Sequence, residues 1–539
     1  MVSLDPDNAP TANVRPRRGH SRAGVVPHAA VAAFLGRQRD DFRRYKRLTA
    51  ARIEQLVALL PQRPPHWHKL KRHQKLMVLV GARHRRFAFF AATGTGKTLT
   101  ALSLAQYHGL PTLVLVPNRS NKEEWRDEIA KHTPHLPAVV LDGSSVAKQL
   151  TLSTTRASVV IETYPGLVRM LTGKVHNRHG GYALKPVPGL VDDLCRKFGA
   201  VIFDESTQAK TQGSLTARIC RKLSEYCRVV YTLTGTPMGH DPTDLHEQMF
   251  LVDRGHSLGE TLGLFRAAFF TTRPGFAGFP EYIFDGSKER LLNRLLAHRS
   301  LRIVADEADL PGVVAIRKFV TLPQEAGTYH QRAIAAIKQA RQDGDVQAMR
   351  NVFVRLRQMS SGFIGYRDDG ARAQFAFAEN PKLDLLIGLL ADIGSDKALV
   401  FYEFTWSAEA IAKRLADARR DFAWLHGGIV DPAQPLRRFK TDPRCPILLL
   451  QNQFGLGLNL QMARYGIFYE SPVPGILRAQ CEARFIRQHS AHRRVFRYDL
   501  ICKGTVDESI LRAHELGVDL AKAVIDGRVE VGKACPGPG

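Results

Sequence analysis

No stretch of the sequence has the length and apolarity of a membrane-spanning helix, which needs about 18 or more consecutive apolar residues. The N-terminus, residues 1–20, lacks the apolar core of a signal peptide. The 7 cysteines are scattered and form no Cys-x-x-Cys pair, so neither a zinc site nor a disulfide framework is predicted. These absences favour a cytoplasmic protein with reduced cysteines and no membrane partner.

Acidic residues are scarce beside the basic ones. The chain of 539 residues carries 77 Lys and Arg against 51 Asp and Glu, a net charge of +26. Residues 1–90 hold 19 of the basic residues and only 5 acidic ones. Such a field attracts a polyanion and accelerates its capture, so a nucleic-acid partner is expected. The simpler alternative is a solvated tail without a specific partner.

Short apolar runs alternate with amphipathic helices through most of the chain. Continuous apolar strands separated by helices are typical of parallel sheets covered on both faces. Two such series predict an α/β protein with two lobes. The first series comprises 87–90, 113–116, 158–161, 200–203 and 229–233, and the second comprises 398–401, 423–425, 447–450, 465–469 and 495–498.

The remaining segments give the predicted domain layout. Residues 39–60 place apolar side chains at helical spacing among Arg and Lys, which predicts a basic amphipathic helix. Residues 285–360 have a mostly helical, basic pattern. The layout is a basic, partly disordered N-terminal extension (1–65), an ATP-binding first lobe (66–255), a helical insertion (256–375), a second lobe (376–515) and a C-terminal tail (516–539).

A phosphate-binding loop is predicted at Ala91-Ala-Thr-Gly-Thr-Gly-Lys-Thr98. It follows the first apolar run and precedes a helical pattern at Leu99–Tyr107. Its glycines let backbone N–H groups point at phosphate oxygens. Lys97 is expected to reach the β- and γ-phosphates, and the Thr98 hydroxyl to bind Mg²⁺. The loop departs from the usual pattern at Ala91, where a glycine is normal.

Two carboxylates, Asp204 and Glu205, end the apolar run 200–203. The C-terminal ends of buried strands are where open α/β sheets place their ligands. The first carboxylate is expected to hold Mg²⁺, and the second to orient and deprotonate the attacking water. The loop and the pair together predict ATP and Mg²⁺ as cofactors.

The order of these motifs resembles the superfamily-two helicase-like ATPases of the Swi/Snf type, over about residues 66–515. The segment Asp204-Glu-Ser-Thr207 is similar to the DEAD or DEAH box, and Leu233-Thr-Gly-Thr-Pro237 has the form typical of Swi/Snf proteins. The Ala91–Thr98 loop itself is close to the DEAD-box form. Leu70–Gln74 resembles the segment whose glutamine reads adenine. The resemblance implies two tandem RecA-like lobes, and it is closest to the compact forms of bacteriophages and bacteria.

The second lobe carries matching motifs. Phe454–Leu460 resembles the glycine-rich fifth motif, and Gln480-x-x-x-Arg484-x-x-Arg487 resembles the sixth, whose arginines reach the γ-phosphate. On a helix the three residues would share one face. The family usually continues with Ile-Gly-Gln, whereas this chain has Gln488-His-Ser490, which leaves the fine geometry of the arginines open.

The resemblance assigns roles residue by residue. The catalytic residues are expected to be Lys97, Asp204, Glu205, Arg484 and Arg487. The ATP-binding residues are expected to be Gln74, Thr93, Gly94, Thr95, Gly96, Lys97, Thr98, Gly457 and Asn459, with Mg²⁺ held by Thr98 and Asp204. The nucleic-acid contacts are expected at Pro117, Asn118, Thr163, Tyr164, Thr234, Thr236, His426 and Gly427.

The function implied is an ATP-dependent translocase, a DNA-dependent ATPase that moves on double-stranded DNA and displaces or remodels bound proteins. Single-stranded DNA or RNA as the partner stays open, and a monomer is expected. A strand-separating DNA or RNA helicase is the first alternative. A non-catalytic clamp that binds ATP as a structural ligand is an alternative of a different class.

Overall fold

A computed structural model describes the fold of the chain. The described residues are 26–92, 94–176, 181–235, 237–238, 242–274, 280–303, 310–343, 345–368, 371–426, 428–429, 433–453, 458–487, 490–517 and 520. Within this part of the chain, no helix is long and apolar enough to cross a membrane.

The first half of the chain forms one parallel sheet, helices around it, and two small hairpins. In chain order its elements are α1 (His28–Leu35), α2 (Ala50–Ala58), α3 (Arg72–Arg83), β1 (Arg86–Ala91), α4 (Lys97–His108), β2 (Thr112–Val116), α5 (Arg119–His132), β3 (Ala138–Val140), α6 (Ser145–Thr154), β4 (Val159–Thr163), α7 (Tyr164–Leu171), β5 (Thr172–His176), β6 (Tyr182–Pro186), α8 (Pro188–Lys197), β7 (Ala200–Asp204), α9 (Leu215–Tyr226), β8 (Val229–Thr234), α10 (Thr243–Asp253), α11 (Leu262–Phe269), β9 (Phe270–Pro274), β10 (Pro280–Phe284), α12 (Glu289–Leu296) and β11 (Ser300–Ile303).

The second half repeats the plan. Its elements are β12 (Gly312–Val320), α13 (Gln324–Gln342), α14 (Val346–Ser360), β13 (Phe363–Asp368), β14 (Ala371–Ala376), α15 (Pro381–Ile393), β15 (Ala398–Tyr402), α16 (Thr405–Asp417), β16 (Phe422–Leu425), α17 (Ala433–Thr441), β17 (Ile447–Gln451), β18 (Tyr465–Phe468), α18 (Gly475–Glu482), β19 (Arg494–Cys502) and α19 (Val506–Leu516).

Each lobe is built on its own parallel sheet, which confirms the predicted α/β fold of two RecA-like lobes. Sheet one has the strand order β11-β1-β8-β7-β2-β4-β3, and sheet two has the order β12-β19-β18-β15-β17-β16. All described pairings within both sheets are parallel. Strands such as β2, β7 and β15 are buried at every position because helices cover both faces. Parallel alignment brings the C-terminal ends of β1, β7 and β8 to one edge of sheet one.

The predicted helical insertion, residues 256–375, is only partly helical. It contains β11, which extends sheet one beside β1, and β12, which pairs with β19 in sheet two. The antiparallel hairpins β9–β10 and β13–β14 also lie in this segment. The long helices α13 and α14 are the helical part that was expected. The sequence therefore crosses from one sheet to the other between Ile303 and Gly312, and the domain boundaries themselves stay a prediction.

The N-terminal segment differs from the single amphipathic helix predicted over 39–60. A 3-10 helix covers Phe42–Arg47, and α2 begins after Thr49, whose hydroxyl accepts a hydrogen bond from the Arg52 N–H at 3.2 Å. Phe42, Ile53 and Val57 are buried in the core of the first lobe. This part of the predicted extension is thus integral to lobe one. Of the N-terminal extension predicted to be partly disordered, residues 1–25 lie outside the described residues, and α1 begins at His28.

Candidate active site and nucleic-acid groove

The predicted phosphate loop joins the end of β1 to the start of α4. Gly94 and Gly96 both have positive φ, 81° and 76°, which side-chain-bearing residues rarely adopt. A Cβ atom at Gly96 would lie 2.0 Å from Nε2 of Gln74. Glycine is therefore required at position 96 by both the backbone angle and the close approach of Gln74. Thr93, also predicted to bind ATP, lies outside the described residues.

Gln74 is fastened to this loop from the first turn of α3. Its Nε2 donates to the carbonyl oxygen of Thr95 at 3.1 Å, and its Oε1 accepts from the Lys71 N–H at 2.8 Å. The side chain is buried. Both hydrogen bonds hold the amide beside the loop, which is the position expected for a group that reads the adenine of a nucleotide bound there.

Lys97 begins α4 and reaches back along the loop. Its Nζ donates to the carbonyl oxygen of Ala91 at 2.9 Å, at the end of β1. Burial lowers the pKa of the ammonium, while the nearby carboxylates of Glu205 and Asp204 raise it. A half-buried cation whose hydrogen bonds go to neutral carbonyls is able to transfer them to a phosphate, which would be a stronger acceptor.

Asp204 ends β7, as predicted, and is held by two hydrogen bonds. The Trp125 indole Nε1 donates to its Oδ2 at 2.8 Å, and the Glu205 N–H donates to its Oδ1 at 3.0 Å. Burial and the neighbouring Glu205 charge raise the pKa of Asp204 to about 6. A buried carboxylate beside a second one is stabilised by a cation, so the donor set fits Mg²⁺.

Glu205 has an unusual backbone for a residue with a side chain, with φ of 46° in the left-handed region. Conformations of this kind cluster at functional sites. Its Oε2 accepts from the Thr234 hydroxyl at 2.9 Å. The end of β8 thus fixes the carboxylate that was predicted to orient water.

The two arginines of the second lobe lie beyond the helix predicted to carry them. Helix α18 ends at Glu482, so Gln480, Arg484 and Arg487 do not share one helical face. Arg484 is buried, its backbone carbonyl accepts from the Leu460 N–H at 3.0 Å, and its Nε has no hydrogen-bond partner among the described residues. Arg487 donates from Nη1 to the carbonyl oxygen of Leu458 at 3.2 Å.

A cleft of about 490 Å³ lies between the two lobes, beside the phosphate loop and Arg487. It is lined by Gln74, Lys97 and Thr98 from the first lobe and by Asn459 and Arg487 from the second. The Oδ1 of Asn459 is buried and lacks a partner among the described residues, like Arg484 Nε. Unpartnered buried polar atoms at such a place are typical of a site that binds a polar ligand. The residues present therefore fit ATP with Mg²⁺. Gly457 lies outside the described residues.

Glu124 on α5 is a cleft residue that was not predicted. Its Oε1 lies 3.9 Å from Nη1 of Arg487. Burial raises the pKa of this carboxyl to about 7, although Arg487 and Arg484 lower it. Sequence inspection gave no signal for it, because one Glu on a charged helix face is ordinary until the second lobe is placed against it.

A second concavity, of about 530 Å³, is lined by four of the eight residues predicted to contact nucleic acid. Pro117, Asn118 and Thr163 line it from lobe one, and His426 lines it from lobe two. We call it the interlobe groove. Pro117 and His426 are about 300 positions apart in the sequence, and the fold brings them to one groove. Their role in binding nucleic acid stays a prediction.

The basic side chains of the interlobe groove were not predicted. The groove is also lined by Arg119, Lys122, Lys148 and Arg169. The two lysines are held by the fully buried Glu162, whose carboxylate oxygens lie 2.8 Å from Lys122 Nζ and 2.6 Å from Lys148 Nζ. Arginines and lysines on a groove wall are the groups that contact a phosphate backbone.

Two residues predicted to contact nucleic acid are instead buried inside lobe one. Tyr164 donates from its hydroxyl to the backbone carbonyl oxygen of Asp204 at 3.0 Å, and Thr234 donates to Glu205. The Tyr164 hydroxyl is thus engaged by the backbone of Asp204 and the Thr234 hydroxyl by the carboxylate of Glu205, so both side chains point into lobe one, and their contact with nucleic acid stays a prediction. Thr236 and Gly427 lie outside the described residues.

Two parallel-sheet lobes with a phosphate loop on one and arginines on the other define the helicase-like class of nucleotide-binding proteins. The family model of the SNF2-related domain matches residues 88–361, which is half of the chain. The chain belongs to this family, and membership implies ATP use, typically with Mg²⁺.

The relatives are matched over limited parts of their length. The human protein "DNA annealing helicase and endonuclease ZRANB3" is 23% identical over 452 residues, which is 81% of this chain and 38% of that protein. A Drosophila melanogaster protein, "SWI/SNF-related matrix-associated actin-dependent regulator of chromatin subfamily A-like protein 1", is 29% identical over 163 residues, 30% of this chain and 18% of that protein.

A solved structure, "Sulfolobus solfataricus SWI2/SNF2 ATPase core in complex with dsDNA", is 18% identical, covers 87% of this chain and 94% of its own, and superimposes with a TM-score of 0.37. Of the human and Drosophila relatives, by contrast, the chain spans less than two-fifths of the length of each.

Proposed function

We propose that this chain is an ATP-driven motor that moves on double-stranded DNA and displaces or remodels the proteins bound there. The observation that carries the proposal is the interlobe cleft, in which Lys97 of one lobe and Arg487 of the other line the same space. A site completed by two lobes links hydrolysis to the distance between them. The human relative, whose name describes a DNA annealing helicase, gives DNA as the favoured partner.

The chemistry assigned to this chain is distributed over named side chains. Lys97 exchanges its carbonyl acceptor for phosphate oxygens. Thr98 and Asp204 would hold Mg²⁺, which would neutralise phosphate charge. Glu205 orients the attacking water and accepts its proton. Arg487 and Arg484 stabilise charge that develops at the γ-phosphate. Arginines in this role typically contribute about 10³–10⁵ in rate.

A short path links the interlobe groove to the carboxylate pair. Thr163 lines the interlobe groove, and the adjacent Tyr164 holds the backbone of Asp204 at 3.0 Å. We infer that a polyanion in the groove shifts α7 and, through Tyr164, the carboxylate pair. This path makes duplex-stimulated turnover the expected behaviour, with ATP hydrolysis slow in the absence of DNA.

One experiment separates the motor from its alternatives. ATP hydrolysis is measured without polynucleotide and with duplex DNA, single-stranded DNA and RNA, beside a strand-displacement assay and a Lys97→Ala control. Stimulation by duplex DNA without strand displacement is the expected result. Strand displacement would favour a DNA or RNA helicase instead. ATP binding with no hydrolysis under any condition would leave a structural clamp.

A further inference from the structure

A cationic concavity lies at the N-terminal edge of sheet one, on the opposite edge from Lys97 and Asp204. Its volume is about 870 Å³, and its lining includes Arg85, Arg86, Arg228, Arg254 and Arg299. Neither the catalytic cleft nor the interlobe groove uses any of these residues. The concavity is therefore a separate feature of lobe one.

Sheet topology places three of the arginines in a row. Arg299, Arg85 and Arg228 directly precede β11, β1 and β8, which are neighbours in that order. The backbone carbonyl oxygens of Arg299 and Arg85 accept from the N–H groups of the next strand, both at 2.8 Å. Neighbouring strands are about 4.8 Å apart, so the row spans about 10 Å across the strands. The strand register also staggers the row along the strands, because Arg299 is level with Phe87 and Arg228 with His84. We call these three residues the arginine row.

The other two arginines of the lining, Arg86 and Arg254, have a structural role at this edge. Arg86 donates to the carbonyl oxygens of Val252, Ser224, Cys227 and Leu251, and Arg254 donates to that of Glu225. These bonds satisfy the last carbonyls of α9 and α10. In contrast, the side chains of the arginine row make no hydrogen bond or ion pair with any described residue.

The positive charge of the row is poorly compensated. Of the two carboxylates in the lining, Asp253 accepts from the N–H groups of Gly255 and Ser257 at 3.1 and 2.9 Å. The second, Glu225, is exposed and is one carboxylate in a lining that contains five arginines. His298 beside the row has a pKa lowered to about 4, mainly by burial and then by Arg299, so it is neutral at physiological pH. Clustered guanidinium groups that repel one another are stabilised when an anion binds.

We propose that the arginine row binds the phosphate backbone of a second nucleic-acid segment, distinct from the one in the interlobe groove. The proposal rests on the proposed function, because it assumes that the groove holds the first segment. Guanidinium forks match phosphate oxygens, and all five cations that line the concavity are arginines rather than lysines. Tyr226 is the exposed large apolar residue of the lining, so an acidic peptide would find little apolar surface to bind.

Distance separates the two segments. β1 has 6 residues and is about 20 Å long, and the loops at both ends add to that length. The arginine row lies at the N-terminal ends of the strands and the groove at their C-terminal ends, so the two edges face opposite directions. A straight duplex that lies across the groove edge therefore does not contact the arginine row. The chain is expected to hold two segments at once and so to bring two duplexes together.

The test measures capture of two duplexes by the full chain. Short duplexes labelled with a donor or an acceptor fluorophore are mixed with the protein without ATP, and energy transfer reports their joint capture. The variant R85Q/R228Q/R299Q is expected to lose energy transfer at least about fivefold and to bind one duplex instead of two. For duplex binding by this variant, the plot of log K against log salt concentration is expected to become less steep by about 2 to 3. Each lost phosphate contact accounts for about 0.9 of that change. Duplex-stimulated ATP hydrolysis should stay within about twofold of the unmodified chain.

A matched control removes the same charge elsewhere. R419Q/R493Q/R494Q changes three exposed arginines just before β16 and at the start of β19, on the N-terminal edge of sheet two. It is expected to keep joint capture. R85Q/R228Q changes only the exposed pair, and it should still lose capture at least about threefold, so that the outcome does not depend on the half-buried Arg299.

Several results would overturn the proposal. Wild-type capture by R85Q/R228Q/R299Q would do so, and so would equal loss in the control. A third result concerns labelled polyglutamate. If it binds the unmodified chain but not the variant, and the variant still captures two duplexes, the arginine row would be assigned to an acidic protein. Capture needs no ATP, so a chain that hydrolyses no ATP would refute the proposed motor without deciding this proposal.

Discussion

At the scale of single residues, the carboxylate pair Asp204–Glu205 is held by contacts from several elements. Trp125 binds one oxygen of Asp204, Tyr164 binds its backbone and Thr234 binds Glu205. Each of these partners sits on a different element of lobe one. The pair is thus held from α5, α7 and β8 at once, so a change in any of these elements is expected to move the carboxylate that is proposed to orient the attacking water.

Glu205→Gln is predicted to abolish turnover but not binding. The amide keeps the size of the side chain and its contact with Thr234, but it cannot accept a proton, so hydrolysis should fall by about 10²–10⁴. Fluorescent-nucleotide binding and phosphate release measure the two properties. Glu128→Gln is the matched control, because Glu128 lines the same cleft and is given no catalytic role. Near-normal turnover in Glu205→Gln would assign the base to another group.

Arg487→Ala is predicted to lose hydrolysis while ATP binding stays within about threefold. The guanidinium lies on the far wall of the cleft and is expected to act only where charge develops in the transition state, a contribution of about 10³ or more. Single-turnover hydrolysis measures the loss. Arg493→Ala, outside the cleft, is the control. A variant that turns over normally would remove Arg487 from this role.

Glu124→Gln is predicted to stabilise the chain in alkaline solution and not in acid. The pKa of Glu124 is raised from 4.5 to about 7, so the folded chain disfavours the charged form. Its burial therefore costs stability fully above about pH 7, and the cost disappears as pH falls towards 4.5. The amide removes the cost, on the order of 1 kcal/mol. Thermal unfolding of the variant and the unmodified chain at pH 5 and pH 8 tests this prediction. An equal difference in stability between the two proteins at both pH values would mean that the charge of Glu124 is not the cause.

At the scale of elements, strand β18 determines where the arginines of lobe two lie. Phe485, between Arg484 and Arg487, packs over Gly466 so closely that a Cβ atom there would approach its ring to 2.2 Å. Phe485 also belongs to the core of lobe two. A glycine in the middle of a strand is explained here by the aromatic ring that lies on it.

Gly466→Ala is therefore predicted to move the arginines. The ring of Phe485 has to shift, which should lower stability by about 1–3 kcal/mol and reduce hydrolysis more than ATP binding. Gly388→Ala is the control, since a Cβ atom there meets nothing within 4 Å. Thermal unfolding and hydrolysis are measured for both. If Gly466→Ala hydrolyses ATP normally, Phe485 does not position the arginines.

The elements also show which features were accessible to sequence reasoning. The apolar strands and the glycine loop were predictable, because buried parallel strands and phosphate loops have local signatures. Strand β12 was missed because it alternates exposed and half-buried residues at the edge of sheet two. The position of Arg484 was misread because its carbonyl bonds to Leu460, and this tertiary contact ends the helical periodicity. The ion pairs of Glu162 had no local signature at all.

At the scale of the whole molecule, the N-terminal segment up to residue 60 carries both basic surface charge and buried core residues. The basic surplus of residues 1–90 suggests an arm that adds affinity for a polyanion. Yet Phe34, Phe42, Ile53 and Val57 are buried against lobe one, and they lie among these basic residues. The segment up to residue 60 thus contributes both electrostatic attraction and core packing, and only a deletion that ends before α1 separates them.

Two deletions are predicted to behave differently. Removal of residues 1–25 takes away 4 arginines and 2 aspartates without touching a described contact, so thermal stability should be unchanged. DNA binding should weaken, and the plot of log K against log salt concentration should become less steep by about 2 to 4. Removal of residues 1–60 also strips the buried side chains, each worth about 1.5–3 kcal/mol, and lobe one should unfold at a much lower temperature.

Thermal unfolding and salt-dependent DNA binding of both variants test the distinction. The shorter deletion is the control for the longer one, because both lose the same first 25 residues. A longer deletion that melts like the intact chain would mean that residues 26–60 are not part of the core of lobe one. An unchanged salt slope in the shorter deletion would place the electrostatic contacts within the folded lobes, where the interlobe groove and the arginine row hold the clustered cations.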